Sequence, residues 1–460
     1  MARIVVCGGG IVGLAAAVLL ARDGHDVTVL ETDPSEPPGD PAAAWDGWQR
    51  RGVAQFRQAH VMLPPVRQVL QQELPEAIER LLAAGCVWED VLHPLPPTLS
   101  DQDDRPGDDR FRTVTGRRPV LEAVFAGLAA DEPGVTVRRG TCVAGLLAAA
   151  GPVPAVQGVR LEDGSELRAD LVVDAMGRRM VSTGWLSGLG VRPQVEAEDS
   201  GFVYYTRFYT GERPQRFGPP LVPYGTFSLL TLPGDNGSWS ITAFAATGDR
   251  ELKALREPDA FTRAVQACRM QAHWLAGEPV TGVLAMAGIL DRHRRLALEG
   301  RPLVVGLVAV GDAWACTNPS AGRGISVGLL HAQLLRLVVR EVGLSDHAAL
   351  AEAWDAATTQ RVEPYYRGQV AADRARLAEM NALRAKTEMP APGPTDIFAT
   401  AAMHDPELFR AFVEVRTAMA LRHEVLARPG IAQRLDAPGD HAPMVLPGPD
   451  RSQLLAALAG

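Results

Sequence analysis

Three glycines near the start of the chain have the spacing of a phosphate-binding turn. Gly8, Gly10 and Gly13 follow the G-x-G-x-x-G pattern. In this pattern the first glycine permits a tight turn, the second lets the backbone approach a pyrophosphate, and the third lets a helix pack on a strand. Glu31 stands where the next strand would end, and a carboxylate there can accept both hydroxyls of an adenosine ribose. An acidic residue at this place favours FAD or NAD over NADP.

A second glycine-rich stretch repeats this design near residue 311. Gly311-Asp312 follows an apolar run at residues 303–310, and a loop at residues 318–324 leads into a helix from about Ile325. Asp312 can accept a hydrogen bond from a sugar-like hydroxyl. The N-terminus of the helix would direct its positive dipole end at an electron-rich group such as a reduced flavin ring.

A third glycine turn follows the apolar run at residues 171–173. The run ends on Asp174, and Gly177 completes a D-x-x-G turn. Ligands of open parallel sheets bind at the carboxyl ends of the strands. The three turns are therefore expected to lie at one edge of one sheet.

A basic segment at residues 50–60 contains Arg51, Arg57 and His60. If it lies near the first glycine turn, it would place positive charge on the pyrophosphate and a polar ring near a flavin. The alternative is a solvated basic loop that contacts no cofactor. The spacing of these residues leaves both interpretations open.

The elements that would position these residues follow from the hydrophobic pattern. Residues 2–31 have the pattern of a strand, a helix and a strand. Residues 190–290 alternate in strand-length runs, with a P-G-D-N-G turn between two of them, which indicates a separate antiparallel sheet. Its aromatic residues either line a pocket or fill the core between the sheet and a helix; they are Tyr204, Tyr205, Phe227, Trp239 and Phe244.

The remaining stretches are less informative. Residues 94–110 are rich in proline and aspartate, and a mobile surface loop is expected there. From residue 345 the chain is rich in alanine, arginine and leucine and is expected to be mostly helical, with an interruption at residues 390–394.

Composition limits the class of protein. The chain has 460 residues, of which 47% are hydrophobic and 22% charged, so a large core is possible. The net charge of −8 argues against nucleic-acid and anionic-membrane partners. The five cysteines form no C-x-x-C pair, which suits a reducing compartment, and we expect a cytoplasmic protein without a membrane span or a metal site.

The uncharged run at residues 4–21 resembles a signal peptide, but three consecutive glycines fit an export helix poorly.

Taken in order, the three glycine turns resemble the flavoprotein monooxygenases of the para-hydroxybenzoate hydroxylase fold. This group also holds squalene-epoxidase-like enzymes and flavin-dependent halogenases. The similarity runs from residue 2 to about residue 340, with one departure, Asp174-Ala175 in place of the family's Asp-Gly. It implies FAD, with Glu31 on the adenosine ribose, Arg118 near the ribityl chain and pyrophosphate, and Asp312 on the ribityl hydroxyls. The loop at residues 319–324 would cover the isoalloxazine ring.

The predicted cofactor-binding residues are Gly8, Gly10, Gly13, Glu31, Arg51, Arg57, Arg118, Val143, Asp174, Gly311, Asp312, Pro319, Gly322, Gly324 and Ile325. The predicted fold class is α/β, with a Rossmann-like FAD-binding domain, an inserted antiparallel substrate domain and a helical C-terminal region. The FAD-binding domain is assigned to residues 1–190, including a substrate-side loop at 60–110, and to residues 296–340. The substrate domain is assigned to residues 191–295 and the helical region to residues 341–460.

The resemblance implies a monooxygenase that inserts one oxygen atom from O2 into an apolar or aromatic metabolite, through a flavin C4a-hydroperoxide. No second dinucleotide fold is visible in the sequence, so NAD(P)H would bind transiently, or a separate flavin reductase would deliver reduced FAD. The catalytic residues are unknown, with His60 and Tyr204 as weak candidates. Epoxidation would need no protein base, which slightly favours an alkene substrate over a phenol.

Three alternatives remain: a reductase or dehydrogenase of a carbon–carbon bond, a halogenase, and a non-catalytic flavin-binding protein. Halogenases of this family use a lysine between the first glycine motif and the substrate domain, whereas residues 1–250 contain no lysine. Their G-W-x-W-x-I-P segment is also missing. Arginine is no substitute, because its guanidinium stays protonated and is a poor nucleophile. The sequence therefore favours oxygenation over halogenation.

Overall fold

The computed structural model describes residues 1–391, 393–436 and 447–460. Its strands, in chain order, are β1 (Arg3–Cys7), β2 (Asp26–Glu31), β3 (Val87–Asp90), β4 (Arg112–Thr115), β5 (Val135–Arg139), β6 (Val143–Ala149), β7 (Ala155–Leu161), β8 (Glu166–Arg168), β9 (Leu171–Asp174), β10 (Gln194–Asp199), β11 (Phe202–Thr210), β12 (Leu221–Tyr224), β13 (Phe227–Pro233), β14 (Ser238–Ala246), β15 (Glu278–Pro279), β16 (Leu284–Met286), β17 (Leu290–Arg295), β18 (Ala297–Leu298), β19 (Arg301–Pro302), β20 (Leu307–Ala309) and β21 (Ala315–Cys316).

The helices, in chain order, are α1 (Ile11–Ala21), α2 (Ala44–Gly47), α3 (Pro64–Glu73), α4 (Pro75–Ala83), α5 (Arg118–Asp131), α6 (Ser182–Gly188), α7 (Pro258–Ala267), α8 (Gly324–Val342), α9 (His347–Arg361), α10 (Glu363–Ala385), α11 (Pro394–Ala402), α12 (Pro406–Arg416), α13 (Arg422–Leu426), α14 (Ile431–Leu435) and α15 (Arg451–Ala459). Within the described residues, none of them combines the length and the apolar character that crossing a membrane requires.

A five-stranded parallel sheet with the order β20-β9-β1-β2-β5 forms the centre of the fold. Val6 of β1 pairs with Val29 on one side and Val173 on the other, in a sheet whose central strands are buried on both faces. Such strands read as continuous apolar runs, which is how residues 4–6 and 171–173 look in the sequence. The predicted Rossmann-like α/β architecture is confirmed.

Helices α1 and α8 pack directly against each other on this sheet. A β-carbon added to Gly328 of α8 would lie 2.4 Å from a methyl group of Val12, so glycine permits the close approach. Almost every residue of α1 is buried, because the sheet, α5 and α8 surround it. The contact places the N-termini of the two helices side by side at the same edge of the sheet.

The substrate domain contains an antiparallel sheet with the order β12-β13-β14-β11-β15, and β16 also pairs with β11. Helices α7 and α15 cover one of its faces. The aromatic residues left open by the sequence are all buried there or in the adjoining cluster around Phe202, and none of them lines a cavity. The structure thus shows them as core.

The C-terminal helices correct one expectation in part. Residues 94–107 form an irregular loop, as expected, but the loop is not wholly at the surface, since Leu95 and Leu99 are buried in an apolar cluster with residues of α11 and α12. Arg410 also forms a buried ion pair with Asp108 at 2.6 Å. A composition rich in proline and aspartate could not reveal this packing, since its partners lie about three hundred residues later in the chain.

The domain boundaries remain a prediction. The helical region assigned to residues 341–460 includes Pro392 and residues 437–446, which lie outside the described residues. Within the described part, helix α8 continues to Val342, and α15 packs on α7 of the substrate domain rather than on α14.

One buried ion pair connects the parallel-sheet domain to the antiparallel sheet. Asp235, in the turn between β13 and β14, accepts hydrogen bonds from the backbone N–H of Arg117 at 2.7 Å and from the Arg117 guanidinium at 3.0 and 2.6 Å. Asp235 has no exposed surface, and the guanidinium of Arg117 lies 4.4 Å from the ring of Trp45. The pair fixes the start of α5 against the substrate domain.

Replacing Asp235 with alanine should lower the free energy of unfolding by about 3–5 kcal/mol, because Arg117 would keep its buried charge without a partner. Urea denaturation followed by circular dichroism would measure this. As a control, Asp163→Ala in an exposed hairpin turn should change the free energy of unfolding much less. Equal effects of the two changes would contradict the linking role of Asp235.

Candidate functional site

A cavity of about 1120 Å³ lies between the carboxyl edge of the parallel sheet, the antiparallel sheet and the C-terminal helices. This volume exceeds the ~300–1,000 Å³ that is typical of small-molecule sites. Backbone of the three glycine turns lines one half, and mostly apolar side chains line the other. We call these the dinucleotide half and the substrate half. Together they have room for a cofactor and a second molecule beside it.

Two helix N-termini open into the dinucleotide half. Helix α1 begins after Gly10 and helix α8 after Arg323, and neither has a side chain that caps its first turn. The first residues of both helices line the cavity. The unpaired N–H groups and the positive dipole end of a helix attract anions. The two ends together suit a ligand with a phosphate group and a second electron-rich group.

The glycines of the first turn have separate roles. Gly8 has a φ of +111°, and a β-carbon there would lie 2.4 Å from the carbonyl oxygen of Ala175. A β-carbon on Gly13 would lie 2.1 Å from the carbonyl oxygen of Gly8. Around Gly10, in contrast, no atom lies within 4 Å of such a carbon. Gly8 and Gly13 therefore serve the packing of the turn, while Gly10 leaves space for a ligand.

Glu31 ends β2 beside this turn. Its Oε2 accepts from the N–H of Gly9 at 2.8 Å, and its Oε1 accepts from the N–H of Asp33 at 2.9 Å. Arg50 donates a hydrogen bond to the same carboxylate. Because a carboxylate offers about four acceptor positions and three are taken, Glu31 keeps one for a ribose hydroxyl where it lines the cavity.

Arg50 and Arg118 share a second carboxylate, that of Glu122. Arg50 donates to Glu122 at 2.5 Å, and Nε of Arg118 donates to its other oxygen at 2.6 Å. Burial alone would lower the pKa of Arg50 and raise the pKa of Glu122, but the opposite charges outweigh it. The pKa of Arg50 is therefore raised, with Glu122 and Glu31 as the causes, and the pKa of Glu122 is lowered. Arg50 and Glu122 thus stabilise each other in the charged form.

His60 is held in one neutral form. Its Nδ1–H donates to the carbonyl oxygen of Gln58 at 2.9 Å, and its Nε2 accepts from Arg118 at 3.1 Å. Burial and the charge of Arg118 lower the pKa of His60 to about 3. With both nitrogens engaged, His60 is poorly placed to act as a base or to form a covalent bond with a flavin.

Asp312 lies in the short turn Gly311–Ala313, just after β20. Gly311 has a φ of +56°, and its N–H donates to Nδ1 of the buried His331 at 3.1 Å. Burial raises the pKa of Asp312, while Arg118 and Arg178 lower it to a smaller extent. The carboxyl group lines the dinucleotide half, where it can bind a hydroxyl group.

The loop before α8 is anchored from the substrate domain and from α10. The N–H of Asn318 donates to Asp291 at 2.6 Å, and its amide oxygen accepts from the hydroxyl of Tyr204 at 2.8 Å. The hydroxyl of Ser320 donates to Asp373 at 2.6 Å. Burial raises the pKa of Asp291 to about 6. These contacts fix the loop that continues through residues 319–324.

Two of the predicted arginines lie away from the cavity. The backbone N–H of Arg51 donates to Asp33, and its side chain is exposed. The guanidinium of Arg57 lies 4.8 Å from the ring of Trp45 and donates to the carbonyl oxygen of Trp48 at 3.1 Å. The arginine of this segment that faces Glu31 and the cavity is Arg50.

Asp174, Gly311 and Tyr204 also do not line the cavity. Asp174 accepts a hydrogen bond at 2.8 Å from Arg294, whose side chain has no exposed surface, so its carboxylate neutralises a buried charge. Tyr204 stacks on Phe244 with ring centroids 5.1 Å apart, and its hydroxyl donates a hydrogen bond to Asn318. Tyr204 is thus a structural residue of the core and not a candidate for catalysis.

The other predicted residues do line the cavity; they are Gly8, Gly10, Gly13, Glu31, His60, Arg118, Val143, Asp312, Pro319, Gly322, Gly324 and Ile325. Sequence reasoning missed Arg50 and Glu122. For Glu122 a signal was present, since Arg118 and Glu122 are spaced i, i+4 on one helix face. For Arg50 the sequence contained no such signal, because it cannot show which of the adjacent arginines, Arg50 or Arg51, faces the cavity.

The substrate half is mostly apolar. Its walls come from three regions: the segment after β3, the antiparallel sheet and helices α11 and α12; examples are Leu92, Leu95, Pro96, Leu230, Met286, Ile289, Met403, Phe409 and Phe412. One charged pair interrupts them, in which Arg216 donates to Glu89 at 2.5 Å. Burial raises the pKa of Glu89 and lowers that of Arg216. The lining fits an apolar or aromatic molecule.

Residues 3–93 match the family described as FAD dependent oxidoreductase. The chain carries a FAD-dependent oxidoreductase domain. The chain is 28% identical over 386 residues to the menaquinone reductase of Mycolicibacterium smegmatis, and this alignment covers 80% of the chain and 82% of the reductase. It is 26% identical over 364 residues to the ubiquinone hydroxylase UbiL of Rhodospirillum rubrum, which covers 74% of this chain and 73% of that protein.

Solved structures of flavoenzymes share the fold. One is PqsL, a probable FAD-dependent monooxygenase from Pseudomonas aeruginosa, with a TM-score of 0.60, 18% identity and coverage of 83% of this chain and 99% of PqsL. Another is the flavin-dependent brominase Bmp2, with a TM-score of 0.60, 16% identity and coverage of 94% and 96%. The predicted fold of the flavoprotein monooxygenases is confirmed.

The dinucleotide half fits FAD. The open space at Gly10 and the uncapped N-terminus of α1 suit its pyrophosphate, and Glu31 at the end of β2 suits its adenosine ribose. At the other end of this half, Asp312 suits a ribityl hydroxyl and the N-terminus of α8 suits the isoalloxazine ring. FAD would there supply the redox chemistry of the reaction.

Glu31→Gln should weaken FAD binding about 10- to 100-fold, since the ribose hydroxyls and Arg50 would lose a charged acceptor. Titration of apoprotein with FAD, followed by flavin fluorescence, measures the dissociation constant. The matched control is Glu36→Gln, which removes an exposed carboxylate that pairs with Arg139 at 3.3 Å. An unchanged dissociation constant in the Glu31 variant would exclude this residue from the site.

Gly324→Val should reduce FAD occupancy severely while the apoprotein keeps its thermal stability. No atom lies within 4 Å of a β-carbon at Gly324, and its φ is not in the left-handed region, so the new side chain starts in open space beside the cavity, where a bound ligand would meet it. Thermal unfolding and FAD content of the purified variant test both parts. Gly13→Val is the control, because its β-carbon would clash with Gly8 and should destabilise the apoprotein itself. Normal FAD content in the Gly324 variant would contradict the placement of the ring.

Proposed function

We propose that the protein is an FAD-dependent monooxygenase that transfers one oxygen atom from O2 to an apolar or aromatic metabolite. The observation that carries this proposal is the continuity of the cavity. The loop at residues 319–324 and the N-terminus of α8 line the same space as the apolar walls from α12 and the antiparallel sheet. A substrate in the apolar half would therefore lie against a flavin in the other half.

The chain's own residues would contribute orientation, charge and exclusion of water. When bound and reduced, FAD supplies the electrons that activate O2. The N-terminus of α8 would stabilise negative charge on its ring, because the first N–H groups of that helix have no side-chain cap. The apolar walls would keep water from the reacting atoms. His60 is neutral and fully hydrogen-bonded, which supports a reaction that does not rely on a protein base.

The relatives support a ring-containing substrate. Both the ubiquinone hydroxylase and the menaquinone reductase are named after quinones. A quinone or a related flat ring with an apolar substituent would fit a lining of leucine, proline, methionine and phenylalanine. We infer that the substrate belongs to this size and polarity class, with hydroxylation or epoxidation as the reaction.

Reduction of a carbon–carbon bond is the second candidate, and the similarity to the menaquinone reductase specifically favours it. It would use the same cavity and the same reduced cofactor but no O2. Halogenation receives less support although the brominase shares the fold. Among the described residues, the cavity lining contains no lysine, and Lys253 and Lys386 lie outside it.

The electron donor is part of the proposal. In the described structure no sheet other than the central one has parallel pairing between its strands, which agrees with the lack of a second dinucleotide fold. NAD(P)H would then bind transiently at the cavity, or a separate flavin reductase would provide reduced FAD.

The test is incubation of FAD-loaded protein with short-chain ubiquinone or menaquinone, NADH, a flavin reductase, bromide and ¹⁸O2, with products identified by mass spectrometry. We expect a product heavier by one labelled oxygen atom and none that contains bromine. The Gly324→Val variant serves as the control and should form no product. A product in which a carbon–carbon double bond has gained two hydrogen atoms, formed equally well without oxygen, would assign the protein to the reductases, and a brominated product would assign it to the halogenases.

A further inference from the structure

Arg416 projects into the cavity from the last turn of α12. Its side chain is exposed to the cavity, next to Val413 and Thr417 of the same wall and close to the loop at residues 319–324. The surrounding protein is dense enough that burial lowers the pKa of Arg416. A guanidinium with its charge in such a place normally has a carboxylate beside it.

Arg416 has no such carboxylate. In the described part of the chain its guanidinium makes neither a hydrogen bond nor an ion pair, and burial is the sole cause of its pKa shift. Arg216, the other arginine of the substrate half, is paired with Glu89. In the dinucleotide half, Arg50 and Arg118 share Glu122. Arg416 thus differs from these three arginines; Arg178 and Arg179 of the third glycine turn also line the cavity.

A second arginine beside it increases the local positive charge. Arg323, in the loop just before α8, donates to the carbonyl oxygens of Val415 and Arg416 at 2.9 to 3.1 Å. These bonds fix the end of α12 against the loop that precedes α8. Burial and the charge of Arg416 lower the pKa of Arg323 to about 10. The charge of Arg416 therefore disfavours the charge on Arg323.

The nearby acids are engaged elsewhere. Asp373 accepts from Ser320 and Gln369, and Glu414 pairs with Arg110 and Arg428. Asp396 lines the cavity too, but it accepts from the N–H of Gly393 at the start of α11 and lies beyond ion-pair distance of Arg416. Asp373 does favour the charge on Arg323, but among the described residues no carboxylate lies within ion-pair distance of Arg416.

We propose that Arg416 binds an anionic oxygen group of the substrate, a carboxylate or an ionised hydroxyl, and so directs the substrate ring at the flavin loop. This inference rests on the proposed function for the identity of the cavity. An anion there would pair with a guanidinium that faces the substrate half and that has no other partner in the part of the chain that the structure describes. A guanidinium also offers two parallel donors, which fixes the orientation of a carboxylate as well as its position.

The experiment measures ligand binding instead of turnover, so it does not depend on the reaction being correct. FAD-loaded protein is titrated with benzoate and with benzamide, two single-ring probes that differ in charge, while the flavin absorbance spectrum is recorded. We expect benzoate to bind at least tenfold more tightly than benzamide. Arg416→Gln should weaken benzoate about 10- to 100-fold, leave benzamide within twofold and keep the thermal stability unchanged. Arg416→Lys should retain part of the preference.

The control variant is Arg428→Gln, which removes an arginine of the same region that pairs with Glu414 at 2.6 Å outside the cavity. It should bind both probes normally. Equal affinity for the two probes, absence of benzoate binding, or an equal effect of Arg416→Gln on both probes would overturn the inference. A changed affinity for FAD with unchanged probe binding would also overturn it, because Arg416 would then serve the flavin. Selective benzoate binding without any product in the ¹⁸O2 experiment would leave this inference standing and remove only the proposed reaction.

Discussion

The buried network of alternating charges at the dinucleotide half is the interaction on which the rest of the site depends. Arg50 lies between Glu31 and Glu122, and Arg118 lies between Glu122 and His60. The three segments that carry these residues are separate in sequence, and none of the charges could stay buried without its partner. The network therefore sets the position of the β2 end, the basic segment and the start of α5 together. Arg117 directly precedes α5. Its ion pair with Asp235 therefore also fixes the position of α5 relative to the substrate domain.

The glycine turns and the charge network perform complementary tasks. The turns bring backbone N–H groups of α1 and α8 to the cavity without any side chain in the way, and the contact at Gly328 keeps those helices side by side. The network supplies fixed side chains around them. Since its charges balance one another, it can surround a cofactor that itself bears negative phosphates without adding a large unpaired charge. Rigid, balanced surroundings of this kind are suited to a cofactor that stays bound, whereas a substrate must enter and leave.

Much of this was predictable from sequence because it is local. A strand followed by a glycine turn and a helix requires particular residues within about ten positions, and all three such units were found with the right neighbours in the sheet. The failures were long-range. Nothing local distinguishes Arg50 from Arg51, and the difference arises because one faces Glu31 while the other faces solvent. The composition of residues 94–110 indicates an exposed loop, because nothing nearby in the sequence shows that α11 and α12 cover part of it. Tyr204 and Asp174 have chemistry suited to a site, but their partners, Asn318 and Arg294, are more than one hundred residues away.

The two halves of the cavity also explain how one fold accommodates proteins named as a reductase, a hydroxylase and a brominase. The dinucleotide half is built by the parallel sheet and its turns, which any enzyme of this cofactor must keep. The substrate half is built by the antiparallel sheet, the segment after β3 and the C-terminal helices, none of which contributes to the charge network. Those walls can change without disturbing the cofactor. The guanidinium of Arg416 in this wall forms no ion pair with the described residues, so its removal leaves no buried partner unpaired among them. An unpaired guanidinium in the cavity wall is unfavourable in the unliganded protein, and an anionic ligand would relieve this. The substrate specificity of this chain is therefore to be sought on α12 and not in the glycine turns.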